Sequence, residues 1–194
     1  MNKKGNIIFL NGVSSSGKTT LAKALQGKLN VPYYIINVDM FLGSGIMFPE
    51  KFATNDDSGF EVFCRTLSGM HQVIKLYSDM GMNTIVDHVL TNDFFGKNPK
   101  SIENCVELLH EYPVLFIHVT CPIEELRRRE NERGDRQAGQ AESQLVQLVP
   151  QDIYDLTVDT YNETIGVYTE KIVAALNFPE KFNAFKTLWL QQQD

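Results

Sequence analysis

The sequence predicts an α/β protein in which a mostly parallel sheet has helices on both faces. Three observations lead to this class: short β-rich apolar runs recur along the chain, segments with helical periodicity separate them, and the composition is that of one compact domain. Parallel neighbours in a sheet need long crossover connections, which are usually helical. Alternating strands and helices therefore favour the parallel arrangement.

Five apolar runs are the predicted strands. They are Asn6–Leu10, Val31–Val38, Asn83–Asp87, Val114–Thr120 and Tyr154–Asp159. The fourth run is apolar almost throughout, which suits a position covered on both faces. The fifth alternates apolar and polar residues, so we expect it at an edge of the sheet.

Helical periodicity is clearest between the second and third strands. Its apolar positions, at steps of four and three, are Phe63, Leu67, Met70, Ile74 and Tyr77. A helix over Thr19–Leu29 follows the first strand. After the last strand, one amphipathic segment contains Tyr168 and Ile172 and another contains Phe185 and Trp189. We expect these two helices to pack as a C-terminal cover.

Composition excludes several classes of function. The chain has 194 residues, 43% of them hydrophobic, and a formal charge of −6, so a single domain over residues 1–194 can bury a core without disulfides or a structural metal. An acidic chain without a long basic run argues against nucleic acid as the main partner. The apolar windows are too short for a signal peptide or for the roughly 20 residues of a membrane span.

Cysteine usage agrees with a reduced, cytoplasmic setting. Cys64, Cys105 and Cys121 are odd in number and widely spaced, with no CxxC pair and no zinc-finger pattern. Three histidines, His71, His110 and His118, fit no metal spacing and are expected in the core or on the surface. The partner is therefore expected to be a small molecule, and the oligomeric state is left open.

Residues 12–19, GVSSSGKT, match the phosphate-binding pattern GxxxxGK[ST] at every fixed position, between a predicted strand and a predicted helix. Its glycines let backbone N–H groups face phosphate oxygens, Lys18 offers a cation to the β- and γ-phosphates, and the Thr19 hydroxyl reaches Mg²⁺. The predicted cofactors are ATP and Mg²⁺. The predicted nucleotide-binding residues are Gly12, Val13, Ser14, Ser15, Ser16, Gly17, Lys18, Thr19 and Thr20.

Two aspartates follow the strands expected beside this loop. Asp39 comes after the second strand, where a carboxylate can orient an acceptor hydroxyl and take its proton; alternatively, it caps a helix or solvates a loop. Asp87 ends the third strand, where it can hold Mg²⁺ together with Thr19, contact substrate or bond backbone N–H groups. His88, directly after Asp87, is the one histidine with a candidate site role.

An arginine-rich segment follows the fourth strand. Arg129, Arg133 and Arg136 are spaced by four and three, so on one helix they would share a face. Arginines on a closing lid can meet the charge of a transferring phosphoryl group. The alternative is a solvated helix with ordinary ion pairs, such as Glu125 with Arg129.

With these residues in hand, the chain resembles the chloramphenicol phosphotransferase-like family of P-loop small-molecule kinases. The segments that resemble the family, in order, are Ile8–Lys18, Asn37–Asp39, Thr84–Asp87, Glu132–Gly139 and Tyr154–Thr160. The stretch RGDRxAG followed by YDxxVDT is the most particular. The resemblance implies a nucleoside-monophosphate-kinase type of fold, with strand order 2-3-1-4-5 and a lid near residues 127–145.

The resemblance also implies individual roles. Asp39 matches the base for the acceptor hydroxyl, Arg133 and Arg136 match the lid arginines, and with Lys18 they form the predicted catalytic set. Asp39 and Asp87 are the predicted substrate-binding residues, and Thr19 and Asp87 the predicted metal ligands. The implied activity is ATP-dependent transfer to a hydroxyl of a small, partly apolar molecule, either an antibiotic or a metabolite.

Two departures leave the acceptor open. His88 stands where a second acidic residue is expected, and the segment Phe41–Gly59, which should floor the acceptor pocket, shows no resemblance. Alternative acceptors are a sugar acid, a shikimate-like alcohol or a nucleoside. A nucleotide-controlled switch that binds partners through this segment is a further alternative, against which the predicted base and arginines argue.

Overall fold

One sheet organises the molecule. The computed structural model describes residues 3–43, 47, 49–54, 56–93, 96–133 and 139–193, without the side chains of Glu50 and Arg133. The strands are β1 (Ile7–Asn11), β2 (Tyr33–Asn37), β3 (Asn83–His88), β4 (Val114–Thr120) and β5 (Leu156–Asp159). They lie in the order β2-β3-β1-β4-β5, and every neighbouring pair is parallel. The predicted fold class and strand order are confirmed.

Helices connect successive strands, and two more follow the last strand. They are α1 (Lys18–Lys28), α2 (Val38–Leu42), α3 (Asp57–Asp79), α4 (Ser101–Leu109), α5 (Ile123–Arg133), α6 (Gln140–Leu145), α7 (Ile165–Ala175) and α8 (Ala184–Gln191). The predicted periodic helix is confirmed as part of α3, on which Leu67, Met70 and Ile74 are buried. No described helix is both long and apolar enough to cross a membrane.

The two faces of the sheet bury alternate residues of each strand. In β1, Ile7 and Phe9 face a core completed by α3, α4 and α8, whereas Ile8 and Leu10 face a core completed by α1 and α7. This alternation follows from the two-residue period of a strand. It explains why β1 and β4 are apolar almost throughout, since both faces are covered.

The prediction that the two C-terminal helices form one cover is wrong, because they pack on different faces of the sheet. Helix α7 packs beside α1, whereas α8 packs beside α4 on the opposite face of the sheet. The start of α8 is held there by Asp155, whose carboxylate accepts hydrogen bonds from the backbone N–H groups of Asn183 (2.8 Å) and Ala184 (3.0 Å). The two C-terminal helices therefore cover different faces.

The segment Phe41–Gly59, which shows no resemblance to the family, is helical at both ends. It contains the end of α2, a 3-10 turn at Glu50–Phe52 and the beginning of α3, where the Asp56 side chain accepts the Gly59 N–H at 2.9 Å. Residues 44–46, 48 and 55 of this segment lie outside the described residues. An aspartate N-cap explains why α3 begins before its apolar periodicity does.

Candidate active site

A cleft of about 1200 Å³ opens at the carboxyl ends of the strands. Register brings these ends level, because Asn11 pairs with His88 and Asn37 with Asp87 across neighbouring strands. One wall, the P-loop side, consists of the loop after β1 with α5, α6 and Thr160. The other, the α2–α3 side, consists of α2, α3 and the residues after β3. Ligands of open parallel sheets bind at this edge.

The backbone conformation of the P-loop depends on its two fixed glycines. Gly17 has φ 97°, in the left-handed region that favours glycine. A Cβ built on Gly12 would lie 2.3 Å from the Val119 carbonyl oxygen, so no side chain fits there. Both fixed glycines of the motif are therefore required by geometry. Val13 and Ser16 are buried, which leaves their backbone as the part able to meet a ligand.

Several contacts hold this loop. The Lys18 Nζ donates to the Val13 carbonyl oxygen at 2.9 Å, and the Thr160 hydroxyl donates to the Ser16 carbonyl oxygen at 2.7 Å. Arg129 donates to the Ser15 carbonyl oxygen at 3.3 Å. The turn after β5 and the helix α5 thus hold the P-loop in place. The strand order of the sheet brings both of them beside it.

Asp87 joins the two sides of the cleft. Its Oδ2 accepts hydrogen bonds from the Thr19 hydroxyl at 2.6 Å and from the Asn37 Nδ2 at 2.8 Å. These bonds go to side chains, and not to the backbone N–H groups considered from the sequence.

A carboxylate in contact with a hydroxyl beside a phosphate-binding loop is a donor set of hard oxygens, which fits Mg²⁺. The described residues contain no cluster of three or more His, Cys, Asp or Glu suited to a metal. Thr19 and Asp87 are therefore the described residues that would hold Mg²⁺.

Asp39 lies in the first turn of α2 and lines the α2–α3 side of the cleft. The capping role considered from the sequence is wrong, because Asn37 is the N-cap: its Oδ1 accepts the Asp39 backbone N–H at 2.6 Å. The Asp39 side chain is exposed to the cleft. Asp39 therefore contributes to the surface of the cleft on the α2–α3 side.

A buried histidine pair lies beneath this side. The Nε2 atoms of His71 and His88 are 3.2 Å apart, and burial lowers the pKa of His71 to about 4. Burial, together with the charges of His71 and Lys18, lowers the pKa of His88 well below its ordinary value. Both rings are neutral at pH 7, so one Nε2 donates and the other accepts. His71 is confirmed as a core residue, at a position of α3 that its periodicity marks as buried.

The arginines divide into described and undescribed groups. Arg129 lines the cleft and combines both sequence interpretations, since it pairs with Glu125 at 2.8 Å and also bonds the P-loop. Arg133 ends α5, but its side chain lies outside the described residues, as does the whole of Arg136. The lid role of these two arginines stays a prediction.

Glu130 was not predicted from the sequence. It is 3% exposed, and its carboxylate accepts the backbone N–H groups of Ala141 at 2.7 Å and Gly139 at 3.3 Å. It thereby ties the start of α6 to α5. No local signal distinguishes it from the solvent-facing glutamates of the same helix.

The motif YDxxVDT fastens the fold around the site. The Tyr154 hydroxyl accepts a hydrogen bond from the Asn11 Nδ2 at 2.9 Å. Asp155 accepts the Phe116 backbone N–H at 2.9 Å in addition to capping α8. Thr160 of this motif contacts the P-loop and lines the cleft, whereas Tyr154 and Asp155 hold together the strands and helix that support the site.

Charge is distributed unevenly between the two sides of the cleft. The cations on the described wall are Lys18 and Arg129, both on the P-loop side, which also includes the Glu132 carboxylate. The described α2–α3 side holds the carboxylates of Asp39 and Asp93 at the cleft, together with a group of apolar side chains. These are Val38, Leu42, Phe63, Leu67 and Val89.

Comparison with solved structures agrees with this architecture. The APS kinase CysC of Mycobacterium tuberculosis, solved in complex with AMPPNP and APS, has a TM-score of 0.65 at 14% identity and covers 91% of this chain and 99% of its own. Shikimate kinase from Acinetobacter baumannii, in complex with shikimate, has a TM-score of 0.61 at 15% identity, covering 90% and 94%. These similarities show the nucleoside-monophosphate-kinase type of P-loop fold.

Sequence comparison adds the family. A Mycobacterium tuberculosis (strain CDC 1551 / Oshkosh) protein provisionally named an O-phosphotransferase is 27% identical over 210 residues, covering 96% of this chain and 90% of its own. The family described as "Chloramphenicol phosphotransferase-like protein" matches residues 5–177. The protein with this P-loop cleft therefore belongs to the chloramphenicol phosphotransferase-like family and is a phosphotransferase of the P-loop kinase type.

Proposed function

We propose that the protein transfers the γ-phosphoryl group of ATP to a hydroxyl of a small, partly apolar alcohol without negative charge. The observation that supports this most is the division of the cleft. A phosphate-binding loop with its cations forms one side, and Asp39 with an apolar wall forms the other. A phosphoryl donor and a hydroxyl acceptor need these two environments at once.

The chain's own residues divide the work. Backbone N–H groups of the P-loop bind the phosphates, and Lys18 offers its charge to the β- and γ-phosphates. Thr19 and Asp87 would hold Mg²⁺, which when bound neutralises phosphate charge. Asp39 accepts the proton of the acceptor hydroxyl as the new oxygen–phosphorus bond forms and ADP leaves. Arg133 and Arg136 meet the charge of the transferring group.

Electrostatics favour the uncharged acceptors considered from the sequence over the acidic ones. Two like charges 4 Å apart repel by about 4 kcal/mol near a protein surface. A sugar acid or a shikimate-like alcohol carries a carboxylate, and the α2–α3 side presents the carboxylates of Asp39 and Asp93 to the cleft. A neutral alcohol or a nucleoside avoids this repulsion and can use the apolar wall.

A screen of alcohols and nucleosides with labelled ATP first tests whether the protein transfers phosphate to a hydroxyl. A matched set of acceptors then tests the preference for an uncharged molecule. The compounds 2-phenylpropan-1-ol, 2-phenylglycinol and tropate share a phenyl-bearing primary alcohol and differ in a methyl, ammonium or carboxylate group. We expect kcat/KM for the methyl compound to exceed that for tropate by about tenfold or more.

Equal or better transfer to tropate would contradict the charge argument. Hydrolysis of ATP without transfer to any alcohol would contradict the proposed function itself. The rate of ATP hydrolysis without acceptor is the control for both readings.

A further inference from the structure

Helix α6 is packed directly onto the P-loop. Ala141, at 1% exposure, belongs to one apolar cluster with Val13 of the loop and Leu126 of α5. Glu130 holds the backbone at the start of the same helix. The cleft-facing residues of α6 and of the turn after it are uncharged and polar: Gln140, Ser143, Gln144 and Gln147. This part of the chain therefore has a defined position beside the nucleotide-binding loop.

Gln144 is bonded to the loop itself. Its Oε1 accepts the backbone N–H of Ser14 at 2.7 Å. An N–H group can bond only to an acceptor, so this contact assigns the oxygen of the amide to Ser14 and leaves the nitrogen for another partner. Among the described residues, no acceptor receives a hydrogen bond from that nitrogen, although Gln144 lines the cleft.

The peptide group between Val13 and Ser14 links Gln144 to Lys18. Its carbonyl oxygen accepts from the Lys18 Nζ at 2.9 Å, and its N–H donates to Gln144. A cation on the oxygen polarises the peptide and strengthens the bond on the N–H side. Lys18 is the residue of this motif that reaches the β- and γ-phosphates. Gln144 thus flanks the end of the loop where the terminal phosphate binds.

We propose that Gln144 contacts the terminal phosphate of the nucleotide, donating from its amide nitrogen while its amide oxygen holds Ser14. The inference rests on the proposed use of ATP and adds a neutral donor from α6 to the cations of the loop. A neutral amide suits this place because it can bond the loop and a phosphate oxygen at the same time, which an arginine cannot, having no acceptor.

Two substitutions separate the contact with phosphate from the support of the loop. Gln144→Glu keeps an oxygen for Ser14 but replaces the donor by a negative charge. Gln144→Met has a similar length and loses both functions. Gln147→Glu is the matched control, because it introduces the same charge at the cleft on a residue that makes no described contact with the P-loop.

The measurement is the dissociation constant of ATP and of ADP, with unfolding curves to check that each variant folds. We expect Gln144→Glu to weaken ATP about tenfold more than ADP, and Gln147→Glu to change their ratio by less than about threefold. Wild-type ATP affinity in Gln144→Glu, with loss only in Gln144→Met, would reduce Gln144 to a support of the loop and overturn the proposal.

Equal weakening of ATP and ADP by Gln144→Glu would also overturn it. Nucleotide binding requires no acceptor. Failure of the protein to phosphorylate any alcohol would therefore contradict the proposed function without affecting this result.

Discussion

The two sides of the cleft are built in different ways. On the P-loop side, the phosphate-binding loop itself comes from one continuous segment, β1, its loop and α1, and α5, α6 and Thr160 complete the wall around it. The α2–α3 side is assembled from three separated stretches, around Asp39, around Phe63 and after β3. The phosphate-binding motif is therefore encoded locally, whereas the α2–α3 side exists only after the chain has folded.

The two sides also differ in charge, and the difference matches the chemistry. Lys18 and Arg129 lie on the P-loop side, and Asp39 and Asp93 lie on the α2–α3 side, as the proposed transfer from ATP to a hydroxyl requires. Asp87 connects them, since it bonds Thr19 of the P-loop side and Asn37, the cap of α2. Most of the following substitutions remove one side chain from one side of the cleft. Their effects on ATP binding and on transfer show whether the two sides have separate functions.

The largest effect is expected from Lys18→Ala. This change removes the cation that the P-loop offers to the phosphates, so transfer should fall by about 10³-fold or more and ATP should bind more weakly. The unfolding curve should change little, because Lys18 bonds the loop at Val13 rather than filling the core. Wild-type ATP affinity in this variant would contradict the P-loop assignment.

Asp39→Asn is expected to impair transfer to the acceptor without affecting nucleotide binding. The variant keeps the shape of the side chain but loses the proton acceptor, so transfer should fall roughly 10²-fold while ATP binding is unchanged. Asp93→Asn is the matched control on the same side, where we expect a change of less than about threefold. The measurements are the transfer rate and the ATP affinity of each variant. Equal effects of the two changes on transfer would show that Asp39 is not the base.

Arg133→Ala and Arg136→Ala should lower turnover by about tenfold to 10²-fold with little change in acceptor KM, since cations aimed at the transferring group act mainly in the transition state. Arg128→Ala is the control: it removes an arginine whose side chain is 56% exposed and pairs with Glu125 and Glu132. If all three variants keep wild-type kcat, the predicted lid arginines are ordinary surface residues.

The smallest effect concerns pH and the histidine pair. Burial lowers the pKa of His71 to about 4 in the folded protein, whereas the unfolded chain titrates near 6.5. The unfolded state therefore binds the proton first, and the free energy of unfolding should fall by roughly 3 kcal/mol from pH 6.5 to pH 4. Urea unfolding measures this slope, which His71→Gln should reduce. An unchanged slope in that variant would mean that His71 does not titrate as its burial indicates.

The nucleotide side was predictable because its signals are local. A strand, the residues GVSSSGKT and a helix follow one another, and the positions of Gly12 and Gly17 are dictated by the backbone of the loop itself. The five strands and the periodic helix α3 were predictable for the same reason, since period two and period 3.6 are read along the chain. Strand order came from the family resemblance, and the sheet confirms it.

Tertiary structure alone decided the remaining contacts of the site. His71 meets His88 across 17 residues, Thr19 meets Asp87 across 68, and Ser14 meets Gln144 across 130. No sequence period relates such positions, because their meeting depends on strand register and on which helix packs against which face. The sequence by itself thus predicted which loop binds phosphate, because that signal is continuous along the chain. The packing of α2 and α3 decided which residues form the other side of the cleft.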